Sequence, residues 1–333
     1  MTYHDIQITF LNLIKKSMPD NLSLADEIAD ILDISKDSAY RRLRGETTLS
    51  LSEIQKLSVR FGVSIDTLLN TSSDSVSFQY RSIDNVTYTF EDYLTSILDN
   101  LRTINKFEVA EMIFLAKDVP PFHHFQFPIL GEFKCFFWLK TILNHPKYAD
   151  FSYARGIVPK EYINLGLRTW DEYIKTPSVE VWSFETINIT LRQIEFYYDC
   201  GLYDNKEDAL ILADEVEKLL RHIKAEAAVG KKFYYGDEES GIDGTFQMYS
   251  NEVNIADTTI FFKMGETKIT YLTHNNLNIL TTTNKKFCEG TESYIKNILR
   301  KSSLISSSSE KERNKFFNRL LKKVDKLRTI LSH

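Results

Sequence analysis

The sequence predicts a mainly α-helical chain with an α+β C-terminal part, and three observations lead to this prediction. The first 70 residues contain short amphipathic helices with clear start and stop signals. The polar, small residues of 70–77 follow and have the composition of a linker. The stretch 245–283 is rich in Thr, Ile, Phe and Tyr between turn residues, which is typical of β-strands. With 333 residues, the chain is long enough for about two domains.

The first three helices of the N-terminal region are marked by periodicity and by capping residues. Apolar residues at i, i+4, i+7 and i+8 give the first helix one buried stripe: Ile6, Phe10, Leu13 and Ile14. Ser23 is placed to begin the second helix, and Ser35 is a suitable N-cap for the third. Gly45 follows the third helix at the position where glycine commonly ends one.

Two further helices complete this region. Ser50 and Glu53 form a capping box for the fourth helix, which ends at Gly62. Ser64 caps a fifth helix with three inward residues, Ile65, Leu68 and Leu69. We therefore expect a five-helix domain at 1–70 and a linker at 71–80.

The remaining region, 81–333, is expected to regulate or dimerise the first, with a second boundary considered near 235–244. Helices are predicted at about 89–104, 129–144, 159–175, 181–200, 206–228, 287–301 and 310–331. Residues 108–117 fit either a strand or a short helix. A small antiparallel sheet is predicted from 245–250, 258–264, 268–274 and 277–283.

Residues 28–45 have the spacing of a helix-turn-helix. Ala29 supplies the small residue needed where two helices cross, Ile34 the apolar residue in the turn, and Ala39 the inward residue of the second helix. At 100° per residue, Ala39 and Leu43 share one face within about 40°. A different arc, about 140° wide, presents Lys36, Asp37, Tyr40, Arg41 and Arg44. Such a helix fits the major groove of B-DNA, about 12 Å wide.

On these residues, 5–70 resembles the Cro/C1-type (XRE-like), lambda-repressor-like helix-turn-helix domain of transcriptional repressors. The ending 57–69, Leu-Ser-Val-Arg-Phe-Gly-Val-Ser-Ile-Asp-Thr-Leu-Leu, is among the most recognisable parts of that family. The resemblance implies that Lys36 and Asp37, with Arg41 one turn later, contact bases. It also places Ser35 where the family contacts phosphate.

The chemistry of these side chains suggests a role for each. Arg41 and Arg44 are long enough to pair bidentately with guanine or to bind phosphate, and Lys36 can do either as a point charge. Asp37 could accept from cytosine N4 and otherwise repel phosphate. Tyr40 could contact a thymine methyl group or a phosphate.

The sequence departs from the family in two places. Asp33 occupies the turn position where the family commonly has glycine, and Asp tolerates the required geometry. Arg42-Leu43 stands where the family often has an aromatic–acidic pair. The second departure removes the basis for expecting a buried ion pair within the domain.

Charge is unevenly distributed along the chain, whose formal net charge is −5. Residues 1–70 have a net charge of −2, although 36–44 alone is +3. Residues 296–333 carry 11 Lys or Arg against 3 Asp or Glu, whereas 71–295 has a net charge of −11. The basic C-terminal segment could contact phosphate or lie against the acidic middle of the chain.

The other candidate metal, redox and pocket residues are mostly better explained by structural roles. His123-His124 cannot both face one metal from a strand, and the loop 236–244 does not fit an EF-hand. Cys135 has apolar neighbours, which favour an inert buried thiol over the redox role considered for it and Cys288. Aromatic residues crowd 122–138 and could form ordinary core or line a small-molecule or peptide pocket.

These observations predict a sequence-specific DNA-binding transcription regulator, a homodimer on an inverted-repeat operator of double-stranded DNA, with a small-molecule or peptide effector. The last helix has two heptads and could dimerise, but we favour packing on its own domain. We expect no enzymatic activity, cofactor, metal or membrane span, and a cytoplasmic location. Alternatives are a peptide-responsive regulator with helical repeats (181–200 with 206–228), a protein-interaction adaptor, and an enzyme with a DNA-targeting domain.

Overall fold

The chain divides into two compact units, residues 1–77 and 78–333. The computed structural model describes residues 3–18, 22–63, 75–107, 110–253 and 255–332. The predicted fifth helix and residues 71–74 of the predicted linker lie outside the described residues.

The first unit contains four described helices around one small core. They are α1 (Tyr3–Ser17), α2 (Leu24–Leu32), α3 (Lys36–Leu43) and α4 (Leu51–Phe61). Two helix starts follow the predicted capping chemistry, since Ser35 and Ser50 accept hydrogen bonds from Ser38 N and Glu53 N. Ser23 precedes α2 as predicted, but its side chain makes no capping hydrogen bond. Buried side chains from all four helices form the core: Phe10, Leu11, Ile14, Ile28, Ala29, Leu32, Ala39 and Leu57.

The second unit is built on one eight-stranded sheet with the order β1-β7-β6-β5-β2-β3-β4-β8. The strands are β1 (Gln79–Tyr80), β2 (Ala110–Ala116), β3 (Ser178–Ser183), β4 (Phe246–Asn251), β5 (Thr259–Met264), β6 (Thr267–His274), β7 (Asn278–Thr282) and β8 (Ser302–Leu304). β2, β3 and β4 run parallel to one another, and every other pairing is antiparallel.

Helices cover both faces of this sheet. They are α5 (Phe90–Ile104), α6 (Pro121–His124), α7 (Pro128–Phe137), α8 (Lys160–Tyr173), α9 (Asn188–Asp199), α10 (Glu207–Val229), α11 (Lys285–Arg300) and α12 (Glu310–Leu331). Alternate side chains of β2 separate the two faces, because successive strand residues point to opposite sides. Phe114 belongs to the large core shared with most of the helices. Ile113 and Leu115 belong to a smaller core with Cys288 and Ile295 of α11.

The α+β character predicted for this region is confirmed, but the sheet is larger than predicted and mixed. Residues 181–183, expected in a helix, are the end of β3, and the helix starts only at Asn188. β3 is buried along its whole length between two parallel neighbours, so its sequence lacks the alternation of a half-exposed strand. Strands from both sides of 235–244 lie side by side, since β3 pairs with β4. The proposed helical repeat 181–200 with 206–228 therefore begins in a strand.

Two other predictions are refined. Residues 108–117 contain a strand, β2, and the helix predicted at 129–144 is divided. Its first part is α7, and a wider π-helical turn follows at Trp138–Ile142. Among the described residues, no helix has both the length and the apolar character to span a membrane.

Candidate functional site

The turn between α2 and α3 has the geometry that its sequence requires. Asp33 adopts the left-handed conformation, with φ 54° and ψ 54°, and its N–H bonds back to the end of α2. Ile34 N donates to Ala29 O at 3.0 Å, which closes the turn. Asp is one of the few non-glycine residues that tolerate this backbone region, so the first departure from the family leaves the turn intact.

One face of α3 is held in the core of the first unit. Ala39 is fully buried, and Leu43 packs against the same core from a half-buried position. Ala29 and Ile34 belong to this cluster as well. These contacts fix the rotation of α3 about its own axis, and therefore decide which of its side chains face outward.

The outward face of α3 consists of the six residues predicted to contact DNA. All six are exposed: Ser35, Lys36, Asp37, Tyr40, Arg41 and Arg44. Ser35 also caps the helix, because its Oγ accepts from Ser38 N at 3.2 Å. Tyr40 is 47% exposed although it is a large aromatic side chain. An exposed face with three cations and one aromatic ring can form phosphate contacts and base-edge contacts.

Carboxylates within the first unit pair with these cations. Asp26 Oδ1 lies 2.9 Å from Lys36 Nζ, and the resulting hydrogen bond raises the pKa of Lys36. Glu46 Oε1 lies 2.6 Å from Arg44 Nε, and Glu46 Oε2 lies 3.9 Å from Arg41 Nε. The hydrogen bond from Arg44 lowers the pKa of Glu46. The outward face is therefore less positive than its own residues suggest.

Arg42 faces inward and makes an ion pair that the sequence analysis did not expect. Its guanidinium lies 2.8 Å from Glu53 Oε1, with 15% and 17% of the two side chains exposed. Glu53 Oε2 also accepts from Ser50 N at 2.7 Å, within the capping box of α4. Burial raises the pKa of Glu53, but Ser50 and Arg42 outweigh it and lower that pKa below its ordinary value. One carboxylate thus joins the start of α4 to α3.

Gln7 on α1 is a further positioning residue, and the sequence did not predict it. Its Nε2 donates to Arg42 O and Thr47 O, both at 2.9 Å, and its Oε1 accepts from Leu49 N at 2.9 Å. These bonds hold the segment after α3, which includes Glu46. The available signal was a polar residue four positions before Leu11, on the buried face of α1.

His123 and His124 lie in the interior of the second unit. His123 Nε2 is 2.8 Å from Glu180 Oε1, and both side chains are essentially unexposed. Burial lowers the pKa of His123, but the Glu180 carboxylate outweighs it and raises the pKa above its ordinary value. Glu180 also accepts from Tyr173 Oη and Trp182 Nε1. This cluster holds β3 to α6 and α8, which is consistent with a structural role.

Two lysines are also fully buried in the second unit. Lys232 Nζ donates to Thr176 O and Ser178 Oγ, both at 2.6 Å, and burial lowers its pKa to about 7. Lys134 Nζ donates to Asp118 Oδ2 at 3.2 Å and to Gln193 Oε1 at 2.9 Å.

The remaining candidates occupy ordinary positions. Cys135 and Cys288 are buried, and burial raises the pKa of Cys135. Cys200 is exposed. In the loop 236–244, Asp243 is exposed and its carboxylate lies 3.3 Å from Lys231 Nζ.

The last helix, α12, packs within the second unit, as we favoured. The five members of its apolar stripe are 0–4% exposed: Phe317, Leu320, Val324, Leu327 and Leu331. Arg328 of this basic segment pairs with Asp214 and Glu217 of α10, at 2.7 and 2.5 Å. This part of the basic segment therefore lies against the acidic middle of the chain.

The crowded aromatic residues divide between core and cavity. Phe133 and Phe136 are fully buried in the large core. Phe122, Phe125 and Trp138 instead line a cavity of about 340 Å³, together with Phe114 and Phe262 of the sheet. The other main contributors to its wall are apolar residues of α5 and the sheet: Leu94, Ile97, Leu101, Ile260 and Ile279.

Comparison with protein families gives a match in the N-terminal part of the chain. Residues 13–87 match the BetR domain, a helix-turn-helix-type DNA-binding domain. Comparison with curated proteins found no match, and comparison with solved structures found none. The N-terminal part of the chain is therefore a DNA-binding domain of the helix-turn-helix type, as the spacing of 28–45 predicts.

Proposed function

We propose that the chain is a sequence-specific DNA-binding transcription regulator of the Cro/C1 type that acts as a homodimer on an inverted repeat. The observation that carries this proposal is the exposed face of α3, held in a helix-turn-helix within a segment that matches a DNA-binding domain. On this proposal α3 is the recognition helix. The protein controls access to DNA in the cytoplasm and catalyses no reaction.

On this proposal, the length and charge of each side chain on α3 determine which part of the DNA it contacts. Arg41 and Arg44 pair with guanine edges or phosphate, and Lys36 adds a point charge at the start of the helix. Asp37 selects by accepting from cytosine and repelling misplaced phosphate. Ser35 contacts phosphate at the N-terminus of the helix, and Tyr40 contacts a thymine methyl group or phosphate.

We propose a homodimer because one helix-turn-helix contacts only a short site. Two recognition helices in a two-fold dimer contact half-sites about 34–36 Å apart, one turn of DNA. The second unit supplies the dimerisation or effector-sensing surface on this proposal. Its buried ionic clusters and its sheet, covered on both faces, give it a core that is independent of the first unit.

The test is a selection of full-length protein on random duplex DNA at low salt, where phosphate contacts are strongest. We expect enrichment of an inverted repeat, and at least a hundredfold loss of affinity in Arg41→Ala/Arg44→Ala, about 3 kcal/mol for two bidentate contacts. The matched control is Lys56→Ala/Arg60→Ala, which removes two exposed positive charges from α4. It should retain the enriched sequence.

Absence of enrichment at low salt would contradict the DNA-binding proposal. Enrichment of a single half-site would contradict the dimer. Equal losses in the two double variants would assign the affinity to general charge, and the recognition residues to another face.

A further inference from the structure

The cavity of the second unit lies against one face of the sheet and is enclosed by helices. Phe114 and Phe262 provide its floor, and Ile97 of α5 and Trp138 after α7 provide its walls. Protein interiors are packed as densely as organic crystals and rarely contain a void much larger than a water molecule. A space of about 340 Å³ has the volume of a small-molecule site.

The exposed residues of the lining mark its mouth. Lys117 and Asp257 lie there, with their charged atoms 4.0 Å apart. Asn275 and Asn276 form a turn beside them, both with positive φ, of 50° and 67°. A molecule from solution can enter between these side chains without crossing the packed core.

The charges around the cavity cancel. Asp118 lines it and is paired with the buried ammonium group of Lys134, whose Nζ also lies 5.5 Å from the centre of the Trp138 ring. Lys117 and Asp257 balance each other at the mouth. Two positive and two negative groups leave no net charge to attract an ion, which favours an uncharged ligand.

Two hydrogen-bond donors in the lining have no partner among the described residues. Tyr93 is 9% exposed and lines the cavity, and its hydroxyl group makes no hydrogen bond to the described residues. Gln193 uses its Oε1 to accept from Lys134, and its Nε2 makes no hydrogen bond to the described part of the chain. A phenol hydroxyl and an amide NH₂ can each donate a hydrogen bond, so both are suited to an acceptor on a bound molecule.

We propose that this cavity binds an uncharged, largely aromatic or aliphatic small molecule with a carbonyl-type acceptor, which Tyr93 and Gln193 recognise. The enclosed volume favours such a molecule over a peptide, which would need an extended groove. That this molecule is the signal sensed by the regulator rests on the proposed function, whereas its binding in the cavity is independent of that function.

The test uses full-length protein without DNA and two uncharged fluorescent probes. Prodan has a naphthalene body and one ketone oxygen, whereas N-phenyl-1-naphthylamine has an aromatic body without a carbonyl group. We expect saturable one-to-one binding of Prodan with a blue shift of its emission. Ile97→Trp should fill the cavity and weaken both probes at least tenfold.

The matched control is Ile163→Trp, which places the same bulk at a half-buried position of α8 that packs on the large core outside the cavity lining. It should bind both probes like wild type, and circular dichroism with thermal unfolding establishes that each variant is folded. Tyr93→Phe and Gln193→Leu should each weaken Prodan several-fold and leave N-phenyl-1-naphthylamine unchanged.

No saturable probe binding by the wild-type chain would overturn the proposal, as would undiminished binding by folded Ile97→Trp. Equal effects of Tyr93→Phe on both probes would overturn recognition of the carbonyl group. Because DNA is absent, probe binding without operator binding would refute only the regulator, and operator binding without probe binding would refute only the cavity.

Discussion

The two units use charged residues in opposite ways. In the first unit, the cations of α3 are exposed and paired with carboxylates that solvent can replace, such as Glu46. In the second unit, His123, Glu180 and Lys232 are fully buried, and their partners are fixed by the fold. An exposed ion pair contributes little to stability and can exchange partners, whereas breaking a buried one is costly. The first arrangement suits contact with a charged ligand, and the second suits a rigid interior.

The largest expected effect is on the buried cluster. Glu180→Gln should reduce the free energy of unfolding of the second unit by about 3–5 kcal/mol, because it removes the charge opposite buried His123. Thermal and urea unfolding monitored by tryptophan fluorescence would report it, since all three tryptophans lie in this unit. Glu111→Gln on β2, whose side chain is exposed, is the control. Equal, small losses in both variants would mean that the buried cluster is not held by its charge.

A smaller effect is expected at the half-buried pair of the first unit. Arg42→Met should lower the stability of that unit by about 1–2 kcal/mol, since it breaks a charge-assisted hydrogen bond with partial exposure to solvent. The pKa of Glu53 is lowered by folding, so its contribution is present above its unfolded pKa and disappears as the pH falls. The difference from wild type should therefore shrink in acid.

Far-ultraviolet circular dichroism during unfolding measures this difference at pH 7 and at about pH 3, below the unfolded pKa of Glu. Arg60→Met, whose guanidinium is exposed and 3.9 Å from Glu27, is the control and should change little. A pH-independent loss in Arg42→Met would assign its effect to packing.

The smallest expected effect concerns Glu46, the carboxylate beside α3, and rests on the proposed function. Glu46→Gln should raise affinity for non-operator DNA up to about fivefold, because Arg41 and Arg44 no longer lose a partner on binding phosphate. Fluorescence anisotropy with labelled duplex DNA at two salt concentrations would measure it. Glu27→Gln on α2 is the control. A fall in affinity would show that Glu46 instead orients the two arginines for DNA.

The exposed face of α3 could be predicted because helical phase alone decides which of its side chains face outward. Apart from Ser38, only Ala39 and Leu43 of α3 are small or aliphatic, so they must face the core. The rotation of 100° per residue then decides which side chains of α3 are exposed. The half-buried pair Arg42–Glu53 was not predicted because it joins two helices. The similar family often has an acidic residue where this chain has Leu43, so the resemblance did not indicate the pair either. Gln7 escaped for the same reason, since its acceptors lie 35 and 40 residues away.

In the second unit, most helices and strands were predicted from the sequence, but the size of the sheet and its parallel pairings were not. β3 and β4 pair across more than 60 residues, and parallel pairing leaves no hairpin signal in the sequence. Glu180 in the middle of β3 also concealed the strand, because a buried carboxylate is understandable only beside His123. The cavity could not be predicted from the sequence for a different reason. Phe122 lines the cavity and Phe136 lies in the core, yet both are phenylalanines of one aromatic-rich segment.

Within the first unit, the residues that pack α3 into the core are different from the residues on its exposed arc. Ala39, Arg42 and Leu43 are buried or half-buried, whereas Lys36 and Tyr40 are exposed, and the partner of Lys36 is the exposed carboxylate of Asp26. Substitutions can therefore accumulate on the exposed arc at little cost to folding. On the proposed function, replacing the exposed arc alone would therefore change the operator preference and leave the stability of the first unit nearly unchanged.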